Sequence, residues 1–215
     1  MVPASGKAEF LMGRRRFVDF LPDLPGEIAL GEKHYRHLVR VLRMKIGECV
    51  TLFDGSGREA ISKITNISPG SVSVEIDQIH QIRREPNCKI TLAFAMTKGQ
   101  KPDFILQKGV ELGVSSFFLF TSDRSVARIP IEKLESRRER WEGIIEAACT
   151  QSGHNYRPGI TFFHDTFQML QSVRTSIRLC MNPEGDRSIM EFTNPLPEEI
   201  TVMVGPEGGF SDREI

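Results

Sequence analysis

Short apolar runs separated by turn residues occupy the first third of the chain. Strands are predicted for the segments 17–20, 49–53, 59–64 and 72–76. Turn sequences such as Asp54-Gly55-Ser56-Gly57 separate them, and helical periodicity predicts one helix at 32–44. Strands this short and closely spaced predict a small β-barrel of about 70 residues.

Beyond Asn87 the pattern changes to longer apolar runs that alternate with helical periodicity. The predicted strands are 89–96, 114–120, 160–163, 177–181 and 200–204, and the predicted helices are 102–112 and 131–152. This alternation is typical of βαβ units and predicts a mostly parallel sheet. We therefore expect an α/β protein with a β-barrel domain at 14–86 and an α/β domain at 87–215.

Composition narrows the class of protein. The chain has 215 residues, 40% of them hydrophobic, and its 28 basic and 28 acidic residues leave no net charge. These values are typical of a globular protein that needs neither a disulfide nor a metal to fold. The four cysteines are at least 31 residues apart, so we expect reduced thiols, no metal and a cytoplasmic location. No apolar run is long enough to span a membrane, so no membrane association is expected.

The zero net charge conceals a cationic stripe on the predicted helix at 32–44. Residues 33–45 include five basic residues, two histidines and no acid. Arg36, Arg40 and Arg43 share one predicted helix face, with apolar residues on the other side (Leu38, Val41 and Leu42). Phosphate groups of a nucleic acid would relieve the repulsion among these cations. The alternative is a solvated face paired with acids elsewhere in the fold.

A glycine-rich segment follows the last predicted strand, with the sequence Gly205-Pro206-Glu207-Gly208-Gly209. It has the spacing of neither a dinucleotide fingerprint nor a phosphate loop. Adjacent glycines expose backbone amides and allow a ligand to approach, and Glu207 would suit a cationic ligand. The alternative is an ordinary tight turn.

Residues after other strands are expected at the same sheet edge, because parallel strands end together. Lys98 and Arg124 follow two strands and could hold phosphate, and Pro183 follows a third. Ordinary loop polarity is the alternative for each. Ser211 and Glu214 have capping-box spacing, so a helix is predicted to begin just before the sequence stops, and we expect that the sequence is cut there.

Together these motifs resemble the RsmE family of 16S ribosomal RNA uridine-N3 methyltransferases, in the SPOUT or trefoil-knot class. The resemblance covers residues 14–215 and leaves 1–13 as leader residues, either native or added. The matching segments are RRRF at 14–17, HLVRVLRMKIGE at 37–48, KGQKPDFILQKGVELGV at 98–114, RSV at 124–126, RWEGIIEAACTQS at 140–152 and GPEGGFSDREI at 205–215.

The resemblance implies a PUA-like barrel that helps to bind RNA and a SPOUT-type knot domain that binds S-adenosylmethionine and forms a homodimer. It implies a cofactor loop made by Gly205, Pro206, Glu207, Gly208 and Gly209, with Pro183 on a neighbouring loop. The implied partner is 16S ribosomal RNA or the small ribosomal subunit. The expected RNA-binding residues are Arg36, Arg40, Arg43, Lys98 and Arg124, and no catalytic base is named.

Two alternatives remain at this point. The family continues beyond the position of Ile215 with a segment that completes the knot and the cofactor pocket. A chain that ended there is expected to transfer no methyl group and to bind the cofactor weakly or not at all. It would then be a non-catalytic RNA-binding or ribosome-assembly module that lacks a complete cofactor site. The other alternative is a different α/β enzyme with a nucleotide ligand.

Overall fold

The computed structural model describes residues 14–126, 131–192 and 194–215, so the predicted leader at 1–13 lies outside the described residues. The chain divides into two units. The first runs through Arg84 and also includes Cys149–Arg157, and the second comprises Glu85–Ala148 and Pro158–Ile215. The domains predicted from the sequence were 14–86 and 87–215, which places the segment 149–157 in the second domain.

The first unit is built on a five-stranded sheet with the order β1-β3-β4-β5-β2. Its strands are β1 (Arg15–Phe17), β2 (Gly26–Leu30), β3 (Cys49–Phe53), β4 (Arg58–Ser68) and β5 (Ser71–Gln81). Alternation buries Ile64, Val74 and Ile76 in one core. The expected small β domain is confirmed, although β2 was not predicted and β1 lies earlier than the predicted strand at 17–20.

The predicted basic helix has an unexpected geometry. A single α-helical turn, α1 (Glu32–Tyr35), passes into a π-helix over Arg36–Val41. The Leu42 amide donates to the His37 carbonyl at 2.9 Å, five residues back, and Arg43 follows with a left-handed φ of 54°. Each such bond adds a residue to the turn, so a spacing of three or four no longer keeps side chains on one face. The expected helical alignment of Arg43 and burial of Val41 were therefore wrong, and Val41 is 65% exposed.

A buried ionic network joins the segment 149–157 to the sheet of the first unit. The Glu59 carboxylate accepts a hydrogen bond of 2.7 Å from Arg15 and two bonds, of 2.6 and 2.7 Å, from Arg84. Arg15 also donates to the Asn155 side chain at 2.7 Å, and Asn155 donates to the Ile82 carbonyl at 2.9 Å. Pairing of this kind is what allows a charged carboxylate to lie out of water.

The second unit contains a parallel five-stranded sheet with the order β8-β7-β6-β10-β9. Its strands are β6 (Lys89–Ala95), β7 (Val114–Phe120), β8 (Gly159–Phe163), β9 (Ile177–Met181) and β10 (Glu199–Val204). Its helices are α2 (Lys101–Glu111), α3 (Leu134–Ser152), whose last four residues belong to the first unit, and α4 (Thr166–Ser172), with short 3₁₀ turns at Ile131–Lys133 and Ile189–Phe192. The predicted parallel α/β domain is confirmed, and α4 was missed.

Helix packing on this sheet depends on a few contacts. A Cβ on Gly109 of α2 would lie 2.6 Å from the ring of the buried Phe117 on β7, so only glycine allows this close approach. Trp141 of α3 is fully buried, and its indole nitrogen donates to Asp103 of α2 at 2.8 Å. The two helices are thereby joined by a hydrogen bond.

In the described part of the chain, none of the helices combines the length and the apolar character that crossing a membrane requires. The same residues contain no group of three or more histidine, cysteine or acidic side chains arranged to hold a metal ion.

The Glu59 network predicts how the stability of the first unit depends on pH. Burial by itself would raise the pKa of Glu59, but the hydrogen bonds from Arg84 and Arg15 outweigh it and hold the pKa at about 2, against an ordinary value of 4.5. Because this pKa is depressed, the stabilisation is fully present above pH 4.5 and is lost as the pH falls toward 2. Replacing Glu59 by Gln should therefore lower the free energy of unfolding by roughly 3 kcal/mol at pH 7 and by much less at pH 3, measured by urea denaturation.

The matched control is Glu75→Gln, which changes an exposed carboxylate on β5 of the same unit. It should shift the unfolding midpoint little at either pH. An equal loss of stability for Glu59→Gln at pH 7 and pH 3 would show that the charge of Glu59 is not what stabilises the network.

Candidate functional site

The order in which successive strands are added reverses at the centre of the second, parallel sheet. From β6 the strands run outward through β7 to β8, whereas β10 lies on the opposite side of β6 with β9 beyond it. The loops that follow β6 and β10 therefore leave adjacent strand ends at the carboxyl edge. Such a switch point is where open α/β sheets bind ligands.

The glycine loop at 205–209 leaves β10 at this switch point. Its shape depends on Phe210, which is buried and stacked on Phe120 with ring centroids 6.3 Å apart. A Cβ on Gly205 would lie 3.0 Å from the Phe210 ring, and Gly209 has a φ of 70°, which favours glycine. Packing therefore favours glycine at 205, and the backbone conformation favours glycine at 209.

Glu207 in this loop is ion-paired with Lys101, the first residue of α2. Lys101 is the main cause of a lowered pKa of Glu207, and the nearby charge of Lys98 adds to it. Glu207 was expected to be available to a cationic ligand, but its carboxylate is already paired with the ammonium group of Lys101. Lys98 itself is exposed on the loop after β6, beside Thr97, whose buried hydroxyl oxygen has no hydrogen-bond partner among the described residues.

Arg124 contacts the glycine loop from the loop after β7. Its guanidinium donates to the Gly208 carbonyl at 3.1 Å and lies 3.9 Å from Asp212. The side chain is 52% exposed, so part of it still faces solvent. Pro183 lies on the loop after β9, the strand next to β10. The predicted residues of the second unit therefore lie on neighbouring loops of one sheet edge.

The predicted cationic residues of the first unit are more dispersed. Arg36 donates to Glu32 at 3.1 Å, four residues back, and Arg40 has its guanidinium carbon 5.8 Å from the centre of the Tyr35 ring. Arg43 is exposed beyond the end of the π-helix. The expectation that these cations lack an acidic partner is wrong for Arg36, because Glu32 lies one residue before the segment 33–45.

A polar network next to the glycine loop was missed in the sequence. Asp123 accepts two hydrogen bonds of 2.7 Å from Arg213, which hold its pKa at about 2. Glu214 accepts bonds from the Thr166 hydroxyl at 2.5 Å and from the Ser211 amide at 2.9 Å. The capping-box spacing predicted the Ser211–Glu214 bond alone. Residues 212–214 form a turn, so the predicted helix start is seen as one turn.

Comparisons with known proteins agree with this architecture. A family model described as an RNA methyltransferase domain matches residues 84–215, and one described as an RNA methyltransferase PUA domain matches residues 30–77. The fold and the site thus define an RNA methyltransferase with a PUA domain. The chain is 30% identical to ribosomal RNA small subunit methyltransferase E of Bacillus subtilis over 83% of this chain and 73% of that protein.

Further relatives give the same result. Ribosomal RNA small subunit methyltransferase E 2 of Borreliella burgdorferi is 31% identical over 85% of this chain and 75% of its own length. The chain belongs to the ribosomal RNA small subunit methyltransferase E family. A crystal structure of such an enzyme from Neisseria gonorrhoeae, bound to S-adenosyl methionine, matches with a TM-score of 0.85 and 30% identity over 94% of this chain and 83% of that one.

A methyltransferase of Legionella pneumophila in complex with S-adenosylmethionine matches equally well. The TM-score is 0.86 and the identity 29%, over 94% of this chain and 83% of that one. The architecture expected from the resemblance, a PUA-like domain followed by a SPOUT-type α/β domain, is therefore confirmed.

Proposed function

We propose that this protein transfers a methyl group from S-adenosylmethionine to N3 of a uridine in 16S ribosomal RNA, and that it acts in the cytoplasm. The observation that carries the proposal is the position of the glycine loop at the switch point of the second sheet. Similar proteins were crystallised with S-adenosylmethionine bound. The names of the relatives support the small-subunit RNA as substrate. The choice of N3 of uridine rests on the resemblance to the family.

The residues at the switch point fit S-adenosylmethionine. Gly205, Gly208 and Gly209 offer backbone groups without side chains of their own, and the buried Thr97 hydroxyl lacks a partner among the described residues. These residues, with Pro183 on the neighbouring loop, would hold the cofactor. When bound, the cofactor supplies an electrophilic methyl group on a sulfonium. The protein must then hold the target base in line with it, and such positioning is a large part of catalysis.

The carboxyl edge of the second sheet provides cations that could bind RNA, but no evident general base. Lys98 and Arg124 are exposed and would bind phosphate groups close to the target uridine. The carboxylates of Glu207 and Asp123 are both held by cations that lower their pKa values. A general base at neutral pH needs a pKa near the working pH, so neither carboxylate is assigned to removal of the N3 proton.

A direct test is binding of S-adenosylmethionine by calorimetry, followed by methyl transfer to 16S RNA and to small subunits, with N3-methyluridine identified by mass spectrometry. Saturable binding and N3 methylation are expected. Gly209→Ala should weaken cofactor binding about fivefold, because alanine is strained at its φ of 70°. Gly143→Ala, at an open position on α3, is the control and should change nothing.

RNA binding without cofactor binding would support the non-catalytic module instead. Cofactor-dependent methylation at an atom other than N3 would retain the enzyme class and reject the proposed position. Loss of cofactor affinity in Gly143→Ala would show that the effect of Gly209→Ala is not specific to the loop.

The cationic residues of the first unit predict a salt-dependent contribution to RNA binding. Replacing Arg36, Arg40 and Arg43 together by alanine should weaken binding and flatten the negative slope of log affinity against log salt, by roughly 0.7 per lost single-strand phosphate contact. The measurement is RNA affinity at several salt concentrations, with Lys63→Ala, an exposed cation on β4, as the control. An unchanged slope would reject these residues as phosphate ligands.

We further propose that the protein is a homodimer. Support comes from exposed apolar side chains on the edge strand β9 and in the segment between β9 and β10, namely Met181 (48% exposed), Met190 (71%) and Leu196 (61%). Apolar patches of this kind commonly mark protein interfaces.

Light scattering after size exclusion should show a dimer for the wild-type protein. It should show a monomer for the double variant Met181→Lys and Met190→Lys. The control is Leu24→Lys, which changes an apolar residue of the first unit that is 76% exposed. A wild-type monomer, or a dimer unaffected by the double variant, would contradict this assignment.

A further inference from the structure

Glu214 is a buried carboxylate that contacts no cation closely. It is 5% exposed, and no described arginine, lysine or histidine lies within 4.0 Å of its carboxylate. Burial of such a group raises its pKa, yet the net pKa of Glu214 is lowered, because hydrogen-bond donors surround it. The group is therefore held as an anion by neutral donors, as a protein holds a bound anion.

The donors to Glu214 come from three separate segments of the second unit. One oxygen accepts from the Asp123 amide at 3.1 Å and from the Thr166 hydroxyl at 2.5 Å. The other accepts from the Ser122 hydroxyl at 3.1 Å and from the Ser211 amide at 2.9 Å. The carboxylate thus joins the loop after β7, the first residue of α4 and the residues that follow the glycine loop.

These contacts hold the glycine loop in two places, at the residues that follow it and at the neighbouring loop after β7. Ser211 lies two residues after Gly209, so its bond fixes the end of the loop. Asp123 precedes Arg124, whose guanidinium donates to the Gly208 carbonyl at 3.1 Å. Holding the Asp123 amide therefore sets the position from which Arg124 reaches the loop.

We propose that Glu214 is a positioning residue that holds the glycine loop at 205–209 and the Arg124 loop in the geometry that binds the cofactor. Its relevance to the cofactor rests on the proposed function. Its effect on the two loops does not, because the contacts within the second unit exist without a ligand.

The arrangement of hydrogen-bond donors around Glu214 makes the substitution Glu214→Gln a specific test of this role. Each oxygen of Glu214 accepts from one backbone amide, Asp123 on one side and Ser211 on the other. In Glu214→Gln the side-chain amide nitrogen would face one of these N–H groups in either orientation. Two donors would then oppose each other in a buried site, although the size of the side chain is unchanged.

The first measurement is hydrogen exchange without cofactor. In Glu214→Gln, exchange should become at least about tenfold faster at 122–125 and 208–211, while the amides of β6 and β10 remain as in the wild type. The matched control is Glu199→Gln, the same change at an exposed carboxylate at the start of β10. Unchanged exchange in the two loops of Glu214→Gln would overturn the proposal.

The second measurement is S-adenosylmethionine affinity by calorimetry. It should fall about tenfold in Glu214→Gln and by a smaller factor in Thr166→Val, which removes one donor and keeps the carboxylate. Thr166→Val also serves if Glu214→Gln does not fold. Faster loop exchange with wild-type affinity in either variant would overturn the link to the cofactor. If the wild-type protein binds no cofactor, the proposed function fails, and the exchange experiment alone still decides whether Glu214 holds the loops.

Discussion

The pairing of β10 with β6 on one side and β9 on the other is the constraint on which the candidate site depends. Residues Glu199–Val204 pair in parallel with Lys89–Phe94, and Ile200–Val204 pair with Ile177–Met181. Because β10 is the last strand in sequence but adjacent to the first strand of the sheet, its carboxyl end delivers the glycine loop next to the loop after β6. A shift of one residue in this register would move every side chain of β10 to the opposite face of the sheet.

The contacts of the glycine loop follow from that placement. The pair of Lys101 with Glu207 joins α2 to the loop, and the bond from Arg124 to Gly208 joins the loop after β7 to it. Each contact links segments that leave neighbouring strands of one sheet. The sheet backbone thus brings these loops next to one another, and the charged side chains form the contacts between them.

Two buried carboxylates show different solutions to the cost of taking charge out of water. Glu59 in the first unit is paired with two arginines, Arg15 and Arg84, whereas Glu214 in the second unit is held by hydroxyl and amide groups. A carboxylate that is paired with a cation attracts a cationic ligand only weakly, because its negative charge is already offset. Glu214 keeps its charge beside a loop proposed to bind a sulfonium cation, where an extra positive partner would oppose the ligand.

Most strands could be predicted because apolar runs report burial directly, and 49–53, 114–120 and 177–181 were predicted with the observed bounds. Strand β2 was missed because Gly26–Leu30 is mostly exposed and carries little apolar alternation. Helix α4 has a clear start signal in the capping side chain of Asp165, but only seven residues over which helical periodicity could be read. The π-helix could not be foreseen, because its bonds follow from packing rather than from local propensity.

The residues of the candidate site could be predicted from the sequence, whereas the contacts among them could not. Loop glycines and strand ends are local features, whereas the bonds from Lys101 to Glu207 and from Thr166 to Glu214 join residues 106 and 48 positions apart. The same distinction shows why the zero net charge of the chain does not describe its surface. The acids that balance its cations include Glu207, which neutralises Lys101, and Asp123, which pairs with Arg213, while Lys98 and the solvent-facing part of Arg124 stay exposed at the loop edge. Total charge is therefore uninformative here, because what RNA phosphates encounter is the set of cations that the fold leaves facing solvent.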